Sequence, residues 1–147
     1  MTNTISFTVY GEPIAQGRGR AAVVNDKVIV YDPKKSRDYK REIKAEAVKV
    51  KPKVPWEGPV SLTVKVYKSI PKSFSRKKRE LALAGALRPT TKPDLKNVIS
   101  GIEDALKGII WRDDSQVVDF GDSGKWYSEN PRVEVTLKRV GAEEGDA

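Results

Sequence analysis

Neither cysteine nor histidine occurs among the 147 residues. The first absence excludes disulfides, thiol nucleophiles and thiolate zinc sites, and it fits a reducing compartment. The second excludes serine-histidine triads and His-Glu-x-x-His zinc sites. Any hydrolysis by this chain therefore rests on carboxylates, lysines and metal-activated water. Long apolar runs are missing too: nothing approaches the roughly 20 residues of a membrane helix, and no signal segment precedes the first strand. The expectation is a soluble, cytoplasmic protein without an organic cofactor. What the chain has in excess is positive charge, with 28 Lys and Arg against 20 Asp and Glu and a net +8. Such an excess points to an anionic partner, nucleic acid being the commonest; a basic surface that only keeps the protein soluble is the competing reading. A chain of this length is one domain of ordinary size, able to bury a core without staples.

The most organised stretch is residues 92–120, KPDLKNVISGIEDALKGIIWRDDSQVVDF. Leu95, Val98, Ile99, Ile102, Leu106 and Ile109 recur at the three-and-four spacing of one buried helical face. Pro93 suits the first turn, where its missing N–H has no helical partner, and Gly108 suits the end. At about 100° per residue, Asp94, Asn97, Gly101 and Asp104 fall along one edge of the apolar stripe, while Lys96, Ser100, Glu103 and Lys107 fall opposite. Beyond the helix, Ile109, Ile110 and Trp111 read as a short strand, Asp113-Asp114-Ser115 as a tight polar turn, and Val117, Val118 and Phe120 as another strand. If the fold brings Asp94 to Asp113 and Asp114, these carboxylates make a site for Mg²⁺, a hard cation that takes one or two carboxylates plus phosphate oxygens. The plainer alternative is a helix cap and a turn.

The rest of the chain reads as support. Ile5, Phe7 and Val9 alternate in a first strand ending at Gly11. The following loop carries Arg18 and Arg20 around Gly19, where guanidinium groups can pair with phosphates. Residues 21–31 form a hairpin turning at Asn25-Asp26. Ser36 is expected to cap a packing helix with Tyr39, Ile43, Ala47 and Val48 on its apolar side. Residues 51–58 are a connector with Pro52, Pro55 and Gly58, and Val60, Leu62, Val64 and Val66 alternate as a strand in the middle of the sheet. The most basic segment follows: Lys72, Arg76, Lys77, Lys78 and Arg79, then Arg88. Ser73 or Ser75 caps a short helix there, ending at Gly85. It reads as a DNA-contacting flap that orders on phosphates, against the commoner reading of a solvated charged face. Trp126 and Tyr127, then Val133, Val135 and Leu137, give two more strands, read as a hairpin, with Trp126 more a half-buried strand aromatic than a base-stacking one. The acidic tail 141–147 is expected to be disordered, leaving residues 1–140 as the domain.

At the central stretch the sequence resembles the RusA-type Holliday-junction resolvases common in prophages. Lys92-Pro93-Asp94-Leu95, Asn97, Asp104-Ala105-Leu106, Gly108 and Asp113-Asp114-Ser115-Gln116-Val117 match at ungapped spacing, with weaker echoes at Gly11-Glu12-Pro13, Arg18 and Arg20, and in residues 71–92. The resemblance implies a small dimeric α/β (α+β) endonuclease, a mixed sheet with packed helices, that uses Mg²⁺ to make paired cuts in four-way DNA junctions during recombination and repair. It implies Asp94, Asp114 and nearby Asp113 as metal-binding and catalytic carboxylates, and Lys92 or Lys96 as a stabiliser of the phosphoryl oxygens. It gives DNA contact to Arg18, Arg20, Lys72, Arg76, Lys77, Lys78, Arg79 and Lys92. Two positions depart from the family pattern: Lys96 stands where a second aspartate is usual, and Ser100 where a helical lysine is usual. An ammonium cannot ligate a cation. Three readings stay open: Lys96 reaches the space of the lysine one turn on, Glu103 or Asp104 supplies the missing oxygen, or the protein binds junctions and cuts weakly.

Overall fold

The computed structural model describes residues 3–15, 20–24, 27–31 and 34–141, the two middle segments by backbone alone. The order is β1 (Thr4–Tyr10), β2 (Arg20–Val24), β3 (Lys27–Tyr31), α1 (Lys34–Val50), β4 (Val60–Ser69), α2 (Arg76–Leu83), α3 (Leu95–Leu106), β5 (Val117–Asp119), β6 (Gly124–Ser128) and β7 (Arg132–Arg139). Strand β4 is the spine of a mixed five-stranded sheet. Along one flank it pairs antiparallel with β7, which pairs in turn with β1; along the other it pairs parallel with β5 near its start and with β6 near its end. β2 and β3 form a separate antiparallel hairpin; its turn, Asn25-Asp26, lies outside the described residues, as do Arg18 and the tail 142–147.

The alternation seen in the sequence is the core. Val60, Leu62, Val64 and Val66 of β4, Val133, Val135 and Leu137 of β7, and Ile5, Phe7 and Val9 of β1 are buried together with Tyr39, Ile43 and Ala47 of α1 and Val98, Ile99, Ile102, Ala105 and Leu106 of α3. The valines, leucines, isoleucines and phenylalanine among them each contribute about 1.5–3 kcal/mol on leaving water. The fold is therefore a single α+β domain with α1 and α3 on one face of the sheet.

Several expectations are corrected. Helix α1 begins at Lys34, so Ser36 is a buried residue inside its first turn and no cap, and Val48 is half exposed because it lies off the Tyr39–Ile43–Ala47 stripe. Pro93 precedes Asp94, which holds the N-cap position of α3, so the proline lies before the helix. Residues 109–111 are a turn and no strand: Ile109 and Ile110 donate their N–H groups back to the Leu106 carbonyl, and Trp111 makes only isolated bridges to Lys107 and Trp56. Val118 and Phe120 are exposed, since β5 is three residues long and stops at Asp119. β6 and β7 make no hairpin, because both partner β4, on opposite flanks. The segment expected to order on DNA is already a helix: Ser75 accepts the Lys78 N–H at 3.2 Å, Arg79 pairs with Glu129 at 3.1 Å, and Phe74 meets Tyr127 edge-on at 5.5 Å.

Candidate functional site: two ends of one helix

Asp94 occupies the N-cap of α3 with extended backbone, yet its side chain makes no capping bond. Only its carbonyl serves the helix, accepting the Val98 N–H at 3.1 Å. The reading of Asp94 as a mere cap is thus set aside, and the carboxylate is exposed and available. Two lysines from the sheet converge beside it. Lys68 of β4 donates to Thr91 Oγ1 and to the Lys92 carbonyl, each at 2.6 Å, and Lys125 of β6 donates to the Thr91 carbonyl at 2.7 Å. Burial pushes the Lys125 pKa down, the neighbouring Lys68 ammonium pushes it further, and Asp94 pulls it back up. Lys92 and Lys96 are exposed nearby and Asn97 is half-buried. Ser100 turns inward on its own helix, donating to the Lys96 carbonyl at 3.0 Å.

The other carboxylates gather past the far end of α3. Trp111, fully buried, donates its indole N–H to Asp114 Oδ1 at 3.0 Å, which ties that carboxylate to the core. Gln116 anchors the whole turn: its Oε1 accepts the N–H groups of Arg112 and Asp113, each at 2.9 Å, while its Nε2 donates to the carbonyls of Trp56 at 2.8 Å and Gly58 at 2.9 Å. The Ser115 hydroxyl, donating to Asp113 at 2.5 Å, holds that carboxyl below its usual range, with help from the Lys107 ammonium at 3.8 Å. Glu103, on the last turns of α3, has its pKa raised by burial and then by the Asp114 charge. It is therefore half-buried and within electrostatic reach of Asp114, where the helical wheel puts it on the solvated far side. Asp104 is ion-paired with Lys40 and ties α3 to α1.

The expected meeting of Asp94 with Asp113 and Asp114 does not occur within one chain. An unbroken helix of 12 residues separates them, about 18 Å at 1.5 Å per residue. No cluster of three acidic side chains able to hold a metal ion exists among the described residues. The described residues of one chain therefore do not by themselves gather such a donor set.

The basic residues form a third region. Lys72, Arg76 and Lys77 are free toward solvent, the Arg76 side chain 95% exposed beside Glu80; Lys78 lies over Phe74, its ammonium 5.0 Å from the ring centre. Next to them, Arg132 stacks on Tyr67 at 4.0 Å, Tyr67 on Trp126 at 5.8 Å, and Arg88 on Trp126 at 4.4 Å. Trp126 is half-buried, as read. Gly124 permits this stack, since a Cβ there would lie 2.6 Å from the Arg88 guanidinium and 2.8 Å from Trp126. Arg20 starts β2.

Lys68 and Lys125 are the residues a reading of the sequence misses, and Gln116 stands there only within a motif, without its clamping role. The two lysines had a signal in the strand alternation: position 68 continues the inward set of 60, 62, 64 and 66, where a lysine is out of place. No helix among the described residues is long and apolar enough to cross a membrane.

Comparison with known proteins gives two matches. The profile of a family described as Endodeoxyribonuclease RusA matches residues 10–138. "Uncharacterized protein YqaN" of Bacillus subtilis (strain 168) is 52% identical over 140 residues, covering 94% of this chain and 98% of that protein.

Proposed function

The chain belongs to the RusA endodeoxyribonuclease family, and from that premise we propose that it is a Mg²⁺-dependent, structure-specific endonuclease that resolves four-way DNA junctions as a homodimer. The family's activity is endonucleolytic; the metal, the dimer and the residue roles are the proposal. The observation that carries it is the state of the carboxylates: Asp94 does no capping work, and Asp114 is held in place by a buried tryptophan. In this reading Asp94 and Asp114, with Asp113 nearby, are the donors, drawn from both ends of α3. A two-fold pairing can set the start of α3 in one copy against the acid turn of the other, which also suits a junction of near two-fold symmetry. A divalent cation bound there supplies Lewis acidity and an activated water for phosphodiester hydrolysis. The chain's own part is to orient: Gln116 and Trp111 fix the acid turn, and Lys92 and Lys96 present ammonium groups toward the phosphoryl oxygens. Arg18, Arg20, Lys72, Arg76, Lys77, Lys78 and Arg79 hold the arms through their phosphates. The expected localisation, with DNA in the cytoplasm, follows from this activity.

A second reading has one observation in its favour. Lys68, Lys96 and Lys125 crowd the Asp94 end, where a cation-binding site wants oxygen, which favours a junction binder that does not cut. A synthetic four-way junction incubated across a metal series separates the two. Nicking with Mg²⁺ and none in chelator supports the nuclease. Tight binding with no nicking in any metal, and nicking gained by Lys96→Asp, supports the binder.

A further inference from the structure

Two lysines point the wrong way for solvated strand residues. Lys68 continues the inward register of Val60, Leu62, Val64 and Val66, and Lys125 is the Cα partner of Val66 across the parallel β4–β6 pair, while Tyr67 and Trp126 pair on the opposite face. An inward lysine on an edge strand can serve only to block aggregation. That explanation fails for Lys68, whose strand is flanked by β6 through Ser69. Both side chains end on one residue, Lys68 on Thr91 Oγ1 and Lys125 on the Thr91 carbonyl. Arg88 fixes the second lysine's backbone by donating to the Lys125 carbonyl at 2.8 Å while stacked on Trp126.

Bringing two ammonium groups together is unfavourable unless an anion lies between or beside them. Asp94 offers one negative charge for the two. Each ammonium has three N–H donors; Lys68 directs two and Lys125 one to partners among the described residues, so donors remain for a further acceptor. Thr91, Lys92 and Asp94 are all exposed, and the seat is open to the surface.

We propose that Lys68 and Lys125 form a seat for one phosphate of the DNA strand, immediately beside Asp94. The seat rests on the DNA-binding part of the reading above and names a contact that the surface arginines and lysines of α2 do not make. It sets the register of the strand: with one phosphate fixed between β4 and β6, its neighbour lies over the start of α3.

The test measures affinity of the full chain for a fluorescent four-way junction over a salt series, for wild type, Lys68→Met, Lys125→Met, the double variant, and Lys138→Met as a control on β7. The double variant is expected to lose about 0.9 from the slope of log K against log salt, the share of one duplex phosphate, and to cut about 10²-fold more slowly. Lys125→Arg, which keeps the charge, restores the slope. Acetylation of wild-type lysines, read by mass spectrometry with and without junction, covers the case in which the methionine variants do not fold: Lys68 and Lys125 are expected to be protected by DNA. An unchanged slope in a folded double variant, or equal acetylation with and without DNA, overturns the seat even if the wild type cuts. A wild type that binds with the expected slope but never nicks leaves the seat standing and removes the nuclease. A wild type with no affinity for DNA overturns both.

Discussion

The two ends of α3 differ in how they hold their carboxylates. At the start, a lone aspartate sits among ammonium groups, free of side-chain bonds to its own helix. At the end, each acid has its own partner: Asp114 accepts from the buried Trp111, Asp113 accepts from Ser115 with the Lys107 ammonium at 3.8 Å, and Glu103 feels the Asp114 charge. The start sets one carboxylate among several ammonium groups, and the end holds its carboxylates by hydrogen bonds to Trp111 and Ser115. The difference teaches that α3, about 18 Å long, works as a spacer between two carboxylate positions with unlike surroundings.

The sharpest way to break this comparison is to neutralise one end at a time. Asp94→Asn or Asp114→Asn alone is expected to lower junction cleavage about 10²–10³-fold, with binding unchanged or stronger because a charge facing phosphates is gone. A mixed dimer of the two variants decides where the ends meet. If each site takes Asp94 from one copy and Asp114 from the other, the mixture retains one intact site and regains single nicks on gel assay. If each site lies within a chain, the mixture stays inactive.

Gln116→Ala attacks the far end only. Four hydrogen bonds are lost, and at about 0.5–1.5 kcal/mol each the chain should lose on the order of 2–6 kcal/mol, read as a lower urea midpoint. Junction affinity at the α3 start should survive wherever the variant is folded. Gly124→Ala attacks the other side, beneath the Arg88–Trp126 stack; overpacking of this kind costs about 1–3 kcal/mol, and a changed tryptophan emission would report it. The smallest effect is at Glu103. Its pKa is raised in the native state, so the folded chain keeps that proton to higher pH than the unfolded chain, and stability falls as pH rises through the raised value. Glu103→Gln should remove that fall and leave the protein more stable at neutral pH by about 0.5 kcal/mol or less, a difference that closes in acid. Equal stability curves for both proteins would show that Glu103 and Asp114 do not interact.

Much of this was legible in the residues. The stripe of Leu95, Val98, Ile99, Ile102 and Leu106 and the alternation of Val60 to Val66 are strong because each reports burial on one face. The pairing of β6 with β4 was not legible, since Trp126 and Val133 lie close in sequence and nothing local says that a long strand runs between them. The separation of Asp94 from Asp113 and Asp114 could have been read: a helix spanning the gap is itself a ruler. Glu103 was misplaced by an ideal wheel because the chain after Gly108 folds back against the last turns of α3, bringing Asp114 to it. Lys68 and Lys125 were hidden among many basic residues, and only their inward parity marks them.

Gln116 carries one more consequence. The side chain that clamps the acid turn is an amide, with no proton to lose or gain across the physiological range and no charge for salt to screen. The scaffold of that turn should keep its shape whether its acids are bare, protonated or loaded, so that changes in buffer or ion alter what the turn attracts while the loop itself stays put.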